Sequence, residues 1–258
     1  DEENIKVNLK IRLGYVNERL VQHITECGKN VSEKIQIFMP NDQPIMLRKI
    51  EVISEKLKIR KDIIKKRTKR LLIQLADIEL YQLIEILDSL YGITEAQKRI
   101  LEATWPDIYT KADSGELVSL ENILENIDNV TATYPDIVRG RVPIEMLKRK
   151  IELFVRNKDY IAKSAEDYEN LMKISDLTRL GKISVVDLSG LSVYDQQIIV
   201  SIIMRQIMKK RVLGDKKVPP VLIILEEAHR FAPSGSEKSL SLNIVKRVAQ
   251  EGRKFFVG

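Results

Sequence analysis

The sequence predicts an α/β protein, a parallel sheet whose strands alternate with helices, interrupted by a long helical bundle. Three observations carry that prediction. Residues 221–225 are an unbroken apolar run set between Pro219–Pro220 and the acids Glu226 and Glu227, the pattern of a parallel strand buried on both faces. A second stretch, residues 182–188 (K-I-S-V-V-D-L), reads as a buried strand and precedes it by one helix length, so strand and helix alternate from about residue 174 to the end. That alternation implies crossover connections and parallel pairing. Between about residues 45 and 170, apolar residues recur at spacings of three and four, the period of helices buried along one face. The expected organisation is a β-containing N-terminal part over residues 1–45, a helical-bundle insertion over 46–172, and the remaining α/β core over 173–258.

In chain order, residues 5–13 alternate strictly, with Ile5, Val7, Leu9, Ile11 and Leu13 against Lys6, Asn8, Lys10 and Arg12. Period two with one apolar face means a half-buried strand. Residues 16–27 fit a short helix, and 35–39 a second strand stopped by Pro40. In the bundle, Leu72, Leu75, Ile78, Leu83, Ile86, Leu87 and Leu90 form one stripe over residues 71–90. Thr94 opens a helix expected to end at Trp105, before Pro106. Ser119 caps a helix over 120–127, and Pro143 stands near the start of another that reaches about Arg156. Trp105 and the bundle tyrosines read as core or interface residues in preference to a nucleobase platform.

Beyond the strand at 182–188 and its turn at Ser189-Gly190-Leu191, Ser192 and Asp195 mark a helix start. Ile198, Ile199, Ile202, Ile203 and Ile207 share a face of that helix, Lys209, Lys210 and Arg211 complement its terminal dipole, and Gly214 ends it. After the acids come a loop over 229–236, a helix over 239–251 stopped by Gly252, and apolar residues 255–258 that begin another strand.

The chain has 258 residues and a formal net charge of +6, a mildly basic balance compatible with nucleic acid but common among proteins that bind none. A single cysteine, Cys27, excludes an internal disulfide framework. No apolar run approaches the roughly 20 residues that span a bilayer, and the acidic first residues do not form a cleavable signal. A cytoplasmic protein without a membrane partner is expected. The chain lacks an initial methionine and stops within an apolar run, so a piece of a longer protein is expected.

Glu226 and Glu227 are the strongest site candidates. Acids at the carboxyl end of a parallel strand emerge where open α/β sheets bind ligands. This is the layout of a Walker B strand, in which one acid holds Mg²⁺ beside ATP and the next polarises the attacking water. A core strand ending in solvated acids is the plain alternative. Asp187 ends the preceding strand, where a turn-forming role and a site role are both open. His229 follows the acids, and the other histidine, His23, is remote in sequence; a hydrogen-bonding or positioning role is expected for it. Nine Lys or Arg residues against one acid, Asp62, lie between Lys56 and Arg70. Lys65, Lys66, Lys69 and Arg70 there form either a solvated face or a phosphate-contacting stripe. A phosphate loop, G-x-x-x-x-G-K-[ST], occurs nowhere; the nearest fragment is Cys27-Gly28-Lys29-Asn30.

The stretches K-I-S-V-V-D-L-S-G-L (182–191), V-L-I-I-L-E-E-A-H-R-F-A-P (221–233) and V-A-Q-E-G-R-K-F (248–255) together resemble the archaeal HerA ATPases, relatives of FtsK among RecA-like translocases. The motifs cover the last third of the chain. The resemblance implies a RecA-like core with a helical insertion, a phosphate loop N-terminal to that insertion, and a homo-hexameric translocase or helicase on double-stranded DNA. It further implies ATP and Mg²⁺ as cofactors, a NurA-type nuclease as partner in end resection, Glu226 and Glu227 as the Walker B pair, and Arg253 as an arginine finger. For Arg253 a structural role at the helix end beside Gly252 is also open. The other functional class is a non-catalytic helical adaptor or DNA-binding module with a degenerate ATPase remnant, and the chain by itself is expected to be inactive.

Overall fold

A computed structural model describes residues 10–14, 34–57, 59–234 and 239–258. The expected strand start at 5–9, the helix over 16–27 and the fragment 27–30 lie outside the described residues. The chain runs through β1 (Lys10–Gly14), β2 (Ile35–Met39), α1 (Gln43–Leu57), α2 (Lys61–Arg67) and β3 (Thr68–Arg70). It continues through α3 (Leu80–Tyr91), α4 (Glu95–Ser114), α5 (Leu120–Thr133), α6 (Val142–Arg156) and α7 (Ala165–Glu169). The last part comprises α8 (Ile174–Leu177), β4 (Ile183–Asp187), α9 (Val193–Val212), β5 (Leu222–Leu225) and α10 (Leu242–Glu251). Two compact units result: Asp1–Leu71 with Met172–Gly258, and Leu72–Leu171.

In the first unit the strands form one sheet in the order β3-β2-β4-β1-β5, and every pair is parallel. This is the parallel α/β architecture expected of a RecA-like core carrying a helical insertion. Strand alternation sets its packing: Ile37 and Met39 of β2 share one face and pack against Ile50 and Ile53 of α1 and Ile64 of α2. Full burial of each such side chain contributes about 1.5–3 kcal/mol. Helix α9 starts where the Ser192 hydroxyl accepts the Asp195 N–H at 3.2 Å, one of the donors a helix start leaves unsatisfied. From Asp195 to Met204 it is buried on nearly every side, whereas the isoleucine pattern predicts a single face. Contacts with both α8 and α10 explain the added burial.

Four other elements differ from the sequence expectation. Thr68–Arg70 lies inside the stretch expected to be helical but pairs with β2; Leu71 N–H extends the pairing to the Met39 carbonyl at 2.8 Å. Strand β5 is expected to be buried on both faces, yet Leu222 is 39% exposed and Ile223 to Leu225 are half-buried, because β5 is the outer strand of the described sheet. Residues 71–79 are largely irregular, and helix begins only at Leu80. Helix α4 continues through Pro106 to Ser114. Proline removes one hydrogen bond, to the carbonyl four residues back, and Glu102 is exposed, so water can take that acceptor.

The helical unit has its own core, built from Leu83, Ile86 and Leu87 of α3, Ile100, Leu101 and Ile108 of α4, and apolar residues of α5 and α6. Capping boxes at Thr94 and Ser119 start α4 and α5. Trp105 is 1% exposed and donates its indole N–H to the Ile78 carbonyl at 3.2 Å, so it is a core residue.

The expected strand at 255–258 is reduced to one bridge. Gly252 to Phe255 form a 3-10 turn, Phe256 takes a left-handed backbone, and Val257 alone bridges Val221 in parallel. Gly252 is required by this closure, because a Cβ there would stand 2.5 Å from the Val257 carbonyl oxygen. Gly252→Ala should cost about 1–3 kcal/mol, the range for inserting a methyl into packed structure, read as a lower thermal midpoint. An unchanged midpoint would mean the turn yields freely.

Candidate functional site

Strands β4, β1 and β5 lie side by side and end level. Gly14 stands beside Asp187 and Leu13 beside Leu225, so Asp187, Gly14 and Glu226 mark one carboxyl edge. Adjacent strands are about 4.8 Å apart, which puts the strands of Asp187 and Glu226 about 10 Å from each other.

The two glutamates meet different surroundings. Glu226 is half-buried, and its Oε2 is out of solvent. Glu227 has φ 51° and ψ 44°, a left-handed backbone, and its side chain is about half exposed. For an L-residue other than glycine that conformation costs about 1–2 kcal/mol. A 3-10 turn at Ala228–Arg230 holds it: Arg230 N–H donates to the Glu227 carbonyl at 2.9 Å, and Ala232 N–H to that of Ala228 at 2.9 Å. His229 Nδ1 lies 3.7 Å from Glu227 Oε2 with both side chains largely in solvent, a contact that becomes an ion pair only when the imidazole is protonated.

Asp187 is 2% exposed, and both its oxygens are engaged. Oδ1 accepts the Ser189 N–H at 3.0 Å, the turn-forming role. Oδ2 pairs with Lys49 Nζ at 3.1 Å. Lys49 also donates to Asn41 Oδ1 at 2.8 Å and to the Ser189 carbonyl at 2.7 Å. Lys49 and Asn41 carry no local sequence signal; Lys49 and Ser189 are 140 positions apart.

The remaining candidates lie elsewhere. Arg253 is exposed on the 3-10 turn Gly252–Phe255, beside the amino end of β5. From Val221, which the following Val257 bridges, to Glu226 is five strand steps, about 17 Å at 3.3 Å each. Lys65 and Lys66 are exposed in the last turn of α2, where cations complement the helix dipole. Lys69 and Arg70 lie on β3, at the other side of the sheet from β5. Lys69 pairs with Asp176 at 3.2 Å.

Among the described residues no group of three or more His, Cys, Asp and Glu could enclose a metal. Two carboxylates at a strand end suit Mg²⁺, which takes one or two protein carboxylates and leaves its other positions to phosphate and water. No helix among the described residues is long and apolar enough to cross a membrane.

A family model described as the central domain of helicase HerA matches residues 15–207. The DNA double-strand break repair helicase HerA of Pyrococcus furiosus is 29% identical over 216 residues, 67% of this chain and 39% of that protein. The protein of the same name from Sulfolobus acidocaldarius is 36% identical over 134 residues, 44% of this chain and 27% of its own length. The probable DNA double-strand break repair helicase HerA of Methanocaldococcus jannaschii is 32% identical over 108 residues, 31% and 21% of the two chains. The matched stretches thus span well under half of each relative.

Proposed function

The chain belongs to the HerA helicase family through its central domain, and from that membership we propose that it is part of an ATP-driven translocase or helicase on double-stranded DNA, acting in break repair and end resection. The observation that carries the reading is the acid pair at the carboxyl edge, with Glu227 held in a costly backbone. Backbone strain of this kind persists where the surroundings enforce it and concentrates at functional sites. The names of the relatives support the DNA-repair role. The resemblance in the motifs adds a homo-hexameric ring and a NurA-type nuclease as partner.

Glu226, half-buried beside Gly14, would hold Mg²⁺, and Glu227 takes the role of the base that orients and polarises the attacking water. When bound, Mg²⁺ neutralises charge on the β- and γ-phosphates of ATP. Asp187, locked to Lys49, shapes the crevice floor, and His229 sets the surroundings of Glu227. Arg253 lies too far from its own acid pair to reach the same phosphate and serves the neighbouring subunit's site.

The test is Mg²⁺-dependent ATP hydrolysis by the full-length protein with and without duplex DNA. Stimulation by duplex DNA is expected; hydrolysis absent under both conditions would favour the adaptor reading. Neutralising Lys65, Lys66, Lys69 and Arg70 together should reduce the slope of log K against log salt by about 0.9 for each DNA phosphate they neutralise. An unchanged slope would return the stretch to a solvated face.

A further inference from the structure

Helix α9 joins the two edges of the sheet: it begins just after β4 ends and finishes just before β5 begins. Its 20 residues extend about 30 Å. A polar side chain near each end ties a functional turn in place. Gln197 is 6% exposed. Its Nε2 donates to the Arg230 carbonyl at 2.7 Å, and its Oε1 accepts the Leu240 N–H at 3.1 Å. One side chain therefore holds the turn that follows Glu227 and the approach to α10. The Phe231 carbonyl adds a second tie, accepting the hydroxyls of Ser239 and Ser241, each at 2.9 Å.

At the other end Arg211 donates from Nε to the Phe255 carbonyl at 2.7 Å and from a terminal nitrogen to the Val218 carbonyl at 2.8 Å. Its guanidinium also lies 5.4 Å from the centre of the Phe256 ring. These contacts join the 3-10 turn that carries Arg253 to the lead-in of β5. A planar guanidinium can span two carbonyls and stack on a ring, which a lysine cannot reproduce.

We propose that Gln197 and Arg211 are positioning residues that divide one ATPase site between subunits. Gln197 steadies this subunit's own acid turn, and Arg211 presents Arg253 to the next subunit. The assignment rests on the reading of Glu227 and Arg253 given above, and it concerns residues whose contacts are with the turns that carry those two. Each is recognised by the class of partner that rescues it.

Full-length subunits carrying Gln197→Met or Arg211→Met are mixed with Glu227→Gln or Arg253→Ala subunits, with assembly confirmed by size. The reference mixture of Glu227→Gln and Arg253→Ala should recover hydrolysis at interfaces that pair an intact acid with an intact arginine. Gln197→Met alone should lower kcat roughly tenfold, as for lost buried hydrogen bonds, with KM for ATP little changed. It should recover with Arg253→Ala and not with Glu227→Gln. Arg211→Met should do the reverse. If either methionine variant fails to assemble, the neutral Gln197→Asn and Arg211→Lys take its place; the Gln197→Asn amide is one methylene shorter and cannot span both Arg230 and Leu240. No recovery in the reference mixture would overturn the arginine reading and this assignment with it. Recovery there, with Gln197 and Arg211 variants rescued by both partners or by neither, would overturn this assignment alone.

Discussion

Glu227→Gln in the full-length protein should lower ATP turnover by roughly two to four orders of magnitude, the range for a positioned general base, while ATP binding survives. The substitution keeps size and hydrogen bonding but removes the charge that activates water. The backbone at this position separates that effect from folding. Glu227 occupies a left-handed conformation that glycine adopts without the steric cost. Glu227→Gly should therefore also abolish hydrolysis yet raise thermal stability by about 1 kcal/mol. If Glu226→Gln stops hydrolysis and Glu227→Gln does not, the division of roles is reversed. A glycine variant that is less stable than the parent would mean the Glu227 side chain itself supports the fold.

Lys49→Met should destabilise the α/β unit by about 3 kcal/mol, measured by denaturant unfolding. The size follows from where the two charges sit. Asp187 is 2% exposed and Lys49 19%, so removing the lysine leaves a buried carboxylate without its counter-charge, a loss in the range of about 3–5 kcal/mol. Partial access of water to Lys49 puts the expectation at the lower end. The pair Lys69–Asp176, at 52% and 44% exposure, belongs to the class of surface ion pairs worth about 1 kcal/mol or less. Adding Asp187→Asn to Lys49→Met should return most of the loss, because the neutral amide still accepts from Ser189 and needs no cation. A loss below about 1 kcal/mol for Lys49→Met, or a double variant no more stable than the single, would remove the buried pair as a source of stability.

The sequence was legible where structure is written locally. The apolar run before the acids located β5 and the stretch K-I-S-V-V-D-L located β4, Ser192 and the basic residues before Gly214 bounded α9, and Thr94 and Ser119 opened their helices. The placement of the acid pair at a strand end was legible for the same reason: it adjoins a short apolar run bounded by prolines. Strand β3 was not, because Thr68-Lys69-Arg70 has no apolar alternation and is a strand only through its backbone pairing with β2. Pro106 misled because a proline inside a helix is tolerated wherever the freed carbonyl reaches water. The half-exposure of β5 depends on which strands flank it, which no local pattern encodes. The partners of the site lie furthest from reach: Lys49 for Asp187, Gln197 for the acid turn and Arg211 for the arginine turn are single polar residues joined to distant segments. Only the folded chain brings them together.

The helical unit closes on itself at its neck. Ile73 pairs with Ile161 in a parallel bridge, Ile73 N–H donates to the Tyr160 carbonyl and Ala162 N–H to that of Ile73, both at 2.9 Å. That closure bears on the order of folding events. If Leu72–Leu171 were slack chain, bringing β3 and β4 into one sheet would close a loop on the order of a hundred residues. Loop entropy makes that about 1.4 kcal/mol harder than closing one of about twenty. Once the bundle has folded and Ile73 is paired with Ile161, the effective loop shrinks to residues 71–72 and 163–182, about twenty in all. A bundle rich in local contacts forms quickly, whereas parallel strands distant in sequence pair slowly. In pulse-labelled hydrogen exchange during refolding, amides of α4 and α5 should gain protection before those of β2 and β4. A substitution that unfolds the bundle should then slow formation of a sheet that contains none of its residues.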